Sequence, residues 1–295
     1  MSKKIILTEK SNPATVDIDV SSSFEIVKMI NDEDKKVALA VDAQLEEIAQ
    51  AVDLISSKIL KGGNLLYFGA GTSGRLGVLD ASECPPTFGV NSNLVRGYIA
   101  GGDKALRNAI EGAEDNYEQG KTDLIKSNAN TNDIVVGISA SGNPMWLLGV
   151  MEAAKSKNIS TIGITCNPEA KIKKFSDIFI CTIVGQEAVT GSSRMKAGTA
   201  QKMVLNMLST GAMIKIGKTY KNFMIDVQPT NEKLKDRAIR IVSEVANIDK
   251  NKAKEILEHT NYEVKTAVIV SVLSCSVQDA RKKLKHSDGV LRKII

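Results

Sequence analysis

The stretch Leu65–Arg75, LLYFGAGTSGR, joins a short apolar run to a glycine-rich loop. Its first four residues are enough for a buried strand that ends where the glycines begin. Similar runs follow at Val95–Ile99, Ile134–Ile138, Thr161–Thr165 and Ile178–Val184, mostly separated by helical patterns. Continuous hydrophobicity is typical of parallel strands covered on both faces. The sequence therefore predicts a doubly wound α/β domain with a five-stranded parallel sheet, whose ligands bind beyond the carboxyl ends of the strands.

Helical patterns flank this predicted sheet on both sides in the sequence. Apolar spacing from Ser23 to Leu60 predicts two helices with a break at Asp32–Lys36, and another long helix is predicted from Met195 to Ile216. We expect three segments. Residues 1–60 form helices that pack on the sheet domain, residues 61–228 form that domain with its long following helix, and residues 229–295 form a small helical domain similar to ubiquitin-associated bundles.

Composition excludes several classes of protein. A net charge of +5 over 295 residues, with lysines mixed among acidic residues, gives no nucleic-acid-binding surface. Four cysteines without CxxC spacing argue against zinc and for a reducing compartment, and two histidines are too few for a histidine-based metal cluster. The longest apolar stretch, Ala267–Val277, is too short to cross a bilayer, and the N-terminal apolar run is too short for a signal peptide. We expect a soluble, cytoplasmic protein without a metal, a cofactor or a membrane partner.

Three loops share one pattern, in which hydroxyl side chains lie beside a glycine where a strand gives way to a helix. They contribute Gly71, Thr72, Ser73 and Gly74 after the first strand, Ser139, Ser141 and Gly142 after the third, and Ser192 and Ser193 before the long helix. Glycine lets the backbone approach a ligand closely, and a helix N-terminus attracts anions. Each loop alone could simply cap a helix, and for Ser192 and Ser193 capping and ligand binding are equally favoured. Two such loops at adjacent strand ends favour a phosphate site, and Val95–Gly102 lacks the acid that would bind a nucleotide ribose.

The paired serine loops resemble the sugar isomerase (SIS) fold, a flavodoxin-like phosphosugar-binding module. Three longer runs, Gly71–Phe88, Ala109–Asp115 and Thr190–Thr199, are similar to the N-acetylmuramic acid 6-phosphate etherases, and the resemblance covers nearly the whole chain. It implies a carbon–oxygen lyase that cleaves the lactyl ether with water, giving N-acetylglucosamine 6-phosphate and D-lactate in cell-wall amino-sugar recycling. It also implies a homodimer that needs no cofactor.

Three glutamates are candidates for acid–base chemistry. Glu83 precedes Pro85 and Pro86, which are expected to end a helix and stiffen a loop near the first phosphate loop. Glu111 and Glu114 are expected one turn apart on a helix that starts near Asp103, and the residues alone do not choose between them. The resemblance implies Glu83 as the acid toward the lactyl oxygen and Glu114 as the C2 base, and leaves Glu111 as a candidate sugar contact.

Two other functions fit the same fold. An aldose–ketose isomerase of this fold usually places an acid shortly after the second serine loop, whereas Ser141-Gly142 is followed here by Asn143-Pro144-Met145-Trp146. A non-catalytic phosphosugar sensor usually carries a basic DNA-binding helical domain, and residues before position 60 show no convincing one. Both alternatives are therefore less favoured than the etherase.

Overall fold

A computed structural model describes residues 6–226 and 231–295. Five parallel strands form one sheet in the order β2-β1-β3-β4-β5. They are β1 (Leu65–Gly69), β2 (Val95–Ile99), β3 (Ile134–Ile138), β4 (Ser160–Thr165) and β5 (Ile178–Cys181). The predicted five-stranded sheet is thus confirmed, although β5 ends three residues earlier than expected. Since the chain leaves β1 in one direction and returns at β3 on its other side, the strand order reverses between these two strands, where doubly wound sheets bind ligands.

The sheet is covered on both faces by helices. These are α1 (Ser23–Asp42), α2 (Leu45–Leu60), α3 (Gly71–Phe88), α4 (Lys104–Arg107), α5 (Tyr117–Lys126), α6 (Met145–Ser156) and α7 (Lys196–Lys215). Every residue of β1 and β3 is buried, which explains why both strands are apolar without alternation. Gly69 pairs with Ile138 in register, so the loops that follow β1 and β3 start at the same level.

The predicted break at Asp32–Lys36 is wrong, because α1 runs unbroken to Asp42. The polar residues lie on the surface of the helix, where Asp32 accepts hydrogen bonds from Lys28 and Lys35. Glu33, in contrast, is buried. The chain turns instead after α1, between Asp42 and Leu45. The charged residues between Asp32 and Lys36 therefore lie mostly on the solvent-exposed side of one helix, and no loop interrupts it there.

The predicted helix from Asp103 through Glu114 is also wrong. The helix α4 ends at Arg107, and Glu114 lies in a short 3-10 helix, Ala113–Asp115. Gly112 adopts φ +69°, a left-handed conformation that a continuing helix does not allow, and the side chain of Asn116 caps the start of α5. Glu111 and Glu114 therefore do not share a helix face.

Pro85 and Pro86 do not end a helix as predicted, because both lie inside α3. The helix continues for two further residues, and Gly89, at φ +62°, follows its end. Glu83 is consequently an exposed helical residue and does not lie in a stiff loop. It follows Gly71 by twelve positions, which is about 18 Å along a helix axis.

The chain forms two compact units. The first contains the sheet, with the chain up to Ser82 and Ser92–Thr210, and the second comprises Glu83–Asn91 and Gly211–Ile295. The second unit has its own apolar core and contains a short β-ribbon with four helices: β6 (Thr219–Tyr220), β7 (Phe223–Met224), α8 (Glu232–Ala246), α9 (Lys250–His259), α10 (Val264–Leu273) and α11 (Val277–His286). The helical C-terminal region is thus confirmed. The expected boundary at residues 228 and 229 lies outside the described residues, and the likeness to ubiquitin-associated bundles stays a prediction.

Candidate functional site

A cavity of about 410 Å³ lies among the loops that follow β1 and β3. It is lined by Thr8, Glu9, Ala70, Gly71, Thr72, Ser73, Glu114, Asp115, Ser139, Ala140, Ser141, Asn143, Pro144 and Ser193. The structure therefore brings together members of all three predicted loops, together with one of the predicted catalytic glutamates. The cavity lies where the strand order reverses, as the fold class predicts.

The first loop places hydroxyl groups at the start of α3. Ser73 is 7% exposed, and its hydroxyl donates a hydrogen bond to Oε1 of Gln201, 2.9 Å away. Gly74 does not line the cavity. It is buried, and a Cβ there would lie 2.6 Å from the carbonyl oxygen of Gly69, so glycine is needed for the close approach of helix to strand. The helix α3 begins at Gly71, beside these hydroxyls, and a helix N-terminus with unpaired backbone N–H groups favours anions.

In the second loop, two serine hydroxyls support the backbone of the turn. The Oγ of Ser139 accepts a hydrogen bond from the backbone N–H of Gly142 at 3.0 Å, and the Oγ of Ser141 accepts one from Asn143 at 3.3 Å. A hydroxyl that accepts from the backbone keeps its own hydrogen for donation. The two Oγ atoms also lie 3.5 Å apart, so one hydroxyl can donate to the other, whose own hydrogen is then left for an anion in the cavity.

The start of α7 has a capping group that the sequence did not predict. Glu187 is fully buried, and its carboxylate accepts hydrogen bonds from the backbone N–H groups of Lys196 (2.9 Å) and Ala197 (3.0 Å). Burial raises the pKa of Glu187, although these hydrogen bonds oppose the rise. Because Glu187 occupies the capping position, Ser193 is left to face the cavity, while Ser192 is not among its described lining residues.

A buried ion pair lies directly behind this helix start. Nζ of Lys196 lies 2.5 Å from a carboxylate oxygen of Glu33, and the two side chains are 2% and 4% exposed. The second oxygen of Glu33 pairs with Lys36. Burial alone would raise the pKa of Glu33, but hydrogen bonds from both lysines outweigh it and the pKa is lowered. This pair fixes α1 against the first residue of α7, three positions after Ser193.

The three candidate glutamates occupy different places. Glu114 lines the main cavity, whereas Glu111 lines an adjoining cavity of about 260 Å³ that shares Glu114 with the first. Arg75 lines the adjoining cavity and donates hydrogen bonds to the carbonyl oxygens of Leu106 (3.0 Å) and Ala105 (2.7 Å). Glu83 lies further along α3. The structure thus brings Glu111 and Glu114 to neighbouring cavities of the first unit, whereas Glu83 belongs to the second unit.

The N-terminal segment reaches the cavity through contacts that no local pattern could predict. The carbonyl oxygen of Thr8 accepts a hydrogen bond from Gly191 N–H at 3.0 Å. Asn12 donates to the carbonyl of Gln186 at 3.3 Å, and Thr15 donates to the carbonyl of Ala188 at 2.8 Å. These bonds hold the segment against the loop before α7, and they place Thr8 and Glu9 in the cavity wall.

Within residues 6–226 and 231–295, the histidines, cysteines and acidic residues form no group of three that could hold a metal ion. In the same part of the chain, no helix combines the length and hydropathy needed to cross a bilayer.

Family models match successive parts of the chain. The N-terminal SIS domain of glucokinase regulatory protein matches residues 47–155, and the general SIS domain matches residues 113–211. The C-terminal lid domain of glucokinase regulatory protein matches residues 221–267. Among solved structures, a phosphoheptose isomerase from Francisella tularensis aligns with 66% of this chain and 100% of its own, at 18% identity and a TM-score of 0.49.

Curated relatives match the chain over nearly its full length. N-acetylmuramic acid 6-phosphate etherase from Caldanaerobacter subterraneus subsp. tengcongensis is 49% identical over 100% of this chain and 96% of the relative. The proteins of the same name from Rhodopirellula baltica and Salmonella typhi are 51% and 48% identical, over 98% and 97% of this chain and 96% and 97% of their own lengths. This similarity extends over nearly the whole length of the chain and of its relatives, so the chain belongs to the N-acetylmuramic acid 6-phosphate etherase family.

Proposed function

We propose that this protein cleaves the lactyl ether of N-acetylmuramate 6-phosphate with water, yielding N-acetylglucosamine 6-phosphate and D-lactate in cell-wall amino-sugar recycling. The observation that carries the proposal is the cavity at the ends of β1 and β3, where hydroxyl groups from three loops meet the carboxylate of Glu114. Membership of a family whose curated relatives carry this name over the full chain supports the reaction.

The hydroxyl side chains are suited to hold the phosphate group. Thr72, Ser73, Ser139, Ser141 and Ser193 all line the cavity. Of these, Ser73 must release its hydrogen bond to Gln201 before its hydroxyl can donate to the phosphate. Backbone N–H groups at the start of α3 add further donors and a favourable helix dipole. Binding of the phosphate supplies energy remote from the reacting carbons, which orients C2 and C3 for the chemistry.

The reaction needs a base and an acid. When the sugar ring opens, the aldehyde at C1 makes the C2 proton acidic. A base removes that proton, the C3–O bond breaks, and lactate leaves as an acid protonates its oxygen. Water then adds across the C2–C3 double bond, with hydroxyl at C3 and hydrogen at C2. Positioned acid–base groups each contribute about 100- to 10,000-fold to steps of this kind.

Glu114 is the proposed base at C2, and its place in the cavity wall supports this role. Glu83 is the proposed acid toward the lactyl oxygen, on the basis of the family motif. Because Glu83 lies about 18 Å along α3 from Gly71, we propose that it serves the cavity of a second copy in a homodimer. Glu111, at the adjoining cavity, is the proposed contact to the sugar.

We also propose that the protein works in the cytoplasm. The four cysteines, Cys84, Cys166, Cys181 and Cys275, all lie in the described part of the chain, and none of them forms a disulfide. Burial raises the pKa of Cys166 to about 12 and that of Cys181 to about 11, so both remain protonated and unreactive. Free, unreactive thiols are typical of proteins from reducing compartments.

The proposed roles are tested with N-acetylmuramate 6-phosphate in deuterated water, following lactate and C2 deuterium by NMR. The wild type should release lactate and incorporate deuterium at C2. Glu114→Ala should abolish both, whereas Glu83→Ala should retain C2 exchange and lose lactate release. Glu118→Ala, which removes an exposed carboxylate four positions after Glu114, is the matched control and should remain active. Wild-type protein that binds the phosphosugar without exchange or lactate release would instead be a sensor.

A further inference from the structure

The carboxylate of Glu9 lies beside the loop that leads to Ser193. A Cβ built on Gly191 would lie 3.1 Å from Oε2 of Glu9. Gly191 adopts φ +78°, and its N–H is bound by the carbonyl of Thr8 at 3.0 Å. The backbone that carries Glu9 is therefore fixed against the cavity wall. The side chain itself is exposed and has no hydrogen-bond partner among the described residues.

The surroundings of Glu9 restrict what it can bind. The described residues that line the cavity include no lysine or arginine, so the carboxylate has no cation to pair with there. Its acidic neighbours in the wall, Glu114 and Asp115, and the phosphate of a bound sugar would all repel it. A carboxylate can only accept hydrogen bonds. Among the groups of a phosphosugar, the hydroxyl groups and the amide N–H are the neutral donors from which such a carboxylate can accept.

We propose that Glu9 is a substrate-binding residue whose carboxylate accepts hydrogen bonds from the uncharged hydroxyl or amide groups of the phosphosugar. This inference rests on the proposed function, because it names which part of the substrate the N-terminal segment recognises. Glu9 favours the sugar over other phosphorylated molecules, since its charge opposes the phosphate and is offset only by sugar donors. The segment therefore supplies selectivity, while the serine loops supply phosphate affinity.

The test compares Glu9→Gln and Glu9→Ala with Asp19→Asn, which removes an exposed carboxylate from the same segment. Calorimetry measures the Kd of N-acetylglucosamine 6-phosphate, and inhibition kinetics measure that of inorganic phosphate. Hydrogen bonds to charged groups predict about a tenfold rise in the phosphosugar Kd and in KM for Glu9→Gln, and a larger rise for Glu9→Ala. The affinity for inorganic phosphate should stay unchanged or increase, kcat should change less than KM, and Asp19→Asn should match the wild type.

Two results would overturn the inference. If both Glu9 variants bind the phosphosugar as tightly as the wild type, Glu9 makes no contact with it. If they lose affinity for inorganic phosphate and the phosphosugar equally, Glu9 acts on the shape of the cavity and not on the sugar. Wild-type activity measured in parallel separates these results from a failure of the proposed function. A wild type that neither binds the phosphosugar nor releases lactate would overturn the proposed function and the inference together.

Discussion

Replacing Gly142 by alanine disturbs the second serine loop at the point where space is most limited. Gly142 adopts φ +67°, and a Cβ there would lie 2.4 Å from Cβ of Ala170 and 3.2 Å from Oγ1 of Thr165. Two carbon atoms normally approach to about 3.5–4.0 Å. The backbone of the loop must therefore shift by about an ångström, and the hydrogen bond from Gly142 N–H to Ser139 must change with it.

The expected loss of stability has two parts. A left-handed conformation costs an L-residue about 1–2 kcal/mol. Relief of the contact with Ala170 adds about 1–3 kcal/mol, as overpacking does elsewhere, so Gly142→Ala should lose about 2–5 kcal/mol in total. Gly185 is the matched control, because it adopts φ +73° with nothing within 4 Å of its built Cβ. Gly185→Ala should lose only the conformational part, about 1–2 kcal/mol.

Urea unfolding followed by the fluorescence of Trp146 measures both variants. Trp146 is the single tryptophan, it is fully buried, and it lies in the first turn of α6, close to the loop. Gly142→Ala should unfold at lower urea than Gly185→Ala, and its phosphosugar KM should rise as the serine hydroxyls move. Equal stability of the two variants would refute the steric reasoning, because the close contacts of the added Cβ, above all with Ala170, distinguish Gly142 from Gly185.

Two further predictions concern the charged groups. Lys196→Met removes the buried cation beside Glu33 and leaves the exposed Lys36 as its charged partner, and it should lower the free energy of unfolding by about 3–5 kcal/mol. The control Lys36→Met removes the exposed partner and should lower the free energy of unfolding by about 1 kcal/mol or less. Equal losses of stability in urea unfolding would contradict the importance of burial. Mixing inactive Glu83→Ala with inactive Glu114→Ala should restore activity at about a quarter of the sites when the subunits of a dimer assort at random. A mixture that releases no lactate after subunit exchange would show that each subunit supplies both glutamates.

The sheet could be predicted because its pattern is local. Each strand is a short apolar run, and the burial of β1 and β3 on both faces explains why these runs do not alternate. The serine loops could be predicted for the same reason, since each lies at the end of a strand. Because β1 and β3 are parallel and in register, the loops that follow them bring Ser73 and Ser139 to the same edge of the sheet. No other feature of the sequence is needed for this prediction.

The errors arose where tertiary contacts decide local structure. Glu33 belongs to a helix because buried Lys196 pairs with it, although charged residues around it suggested a loop. The helix α4 stops before Asn108, whose backbone is extended, and Gly112 then adopts a left-handed conformation before Glu114. The amphipathic pattern of the sequence reveals neither conformation. The segment that carries Glu9 contacts a loop far away in the sequence, and Glu187 binds backbone N–H groups. Neither kind of contact produces a periodic pattern in the sequence.

The hydrogen bonds between the N-terminal segment and the loop before α7 also determine the order in which the parts of the cavity form during folding. Thr15 and Ala188 are 173 positions apart, and Asn12 and Gln186 are 174 apart. Closing so long a loop costs entropy that only the later contacts repay. The segment that carries Glu9 leaves the ribosome early but has no docking surface until the last strand of the sheet has been synthesised. The N-terminal part of the cavity wall is therefore synthesised first but docks last. The sugar selectivity that Glu9 supplies is gained only at the end of folding.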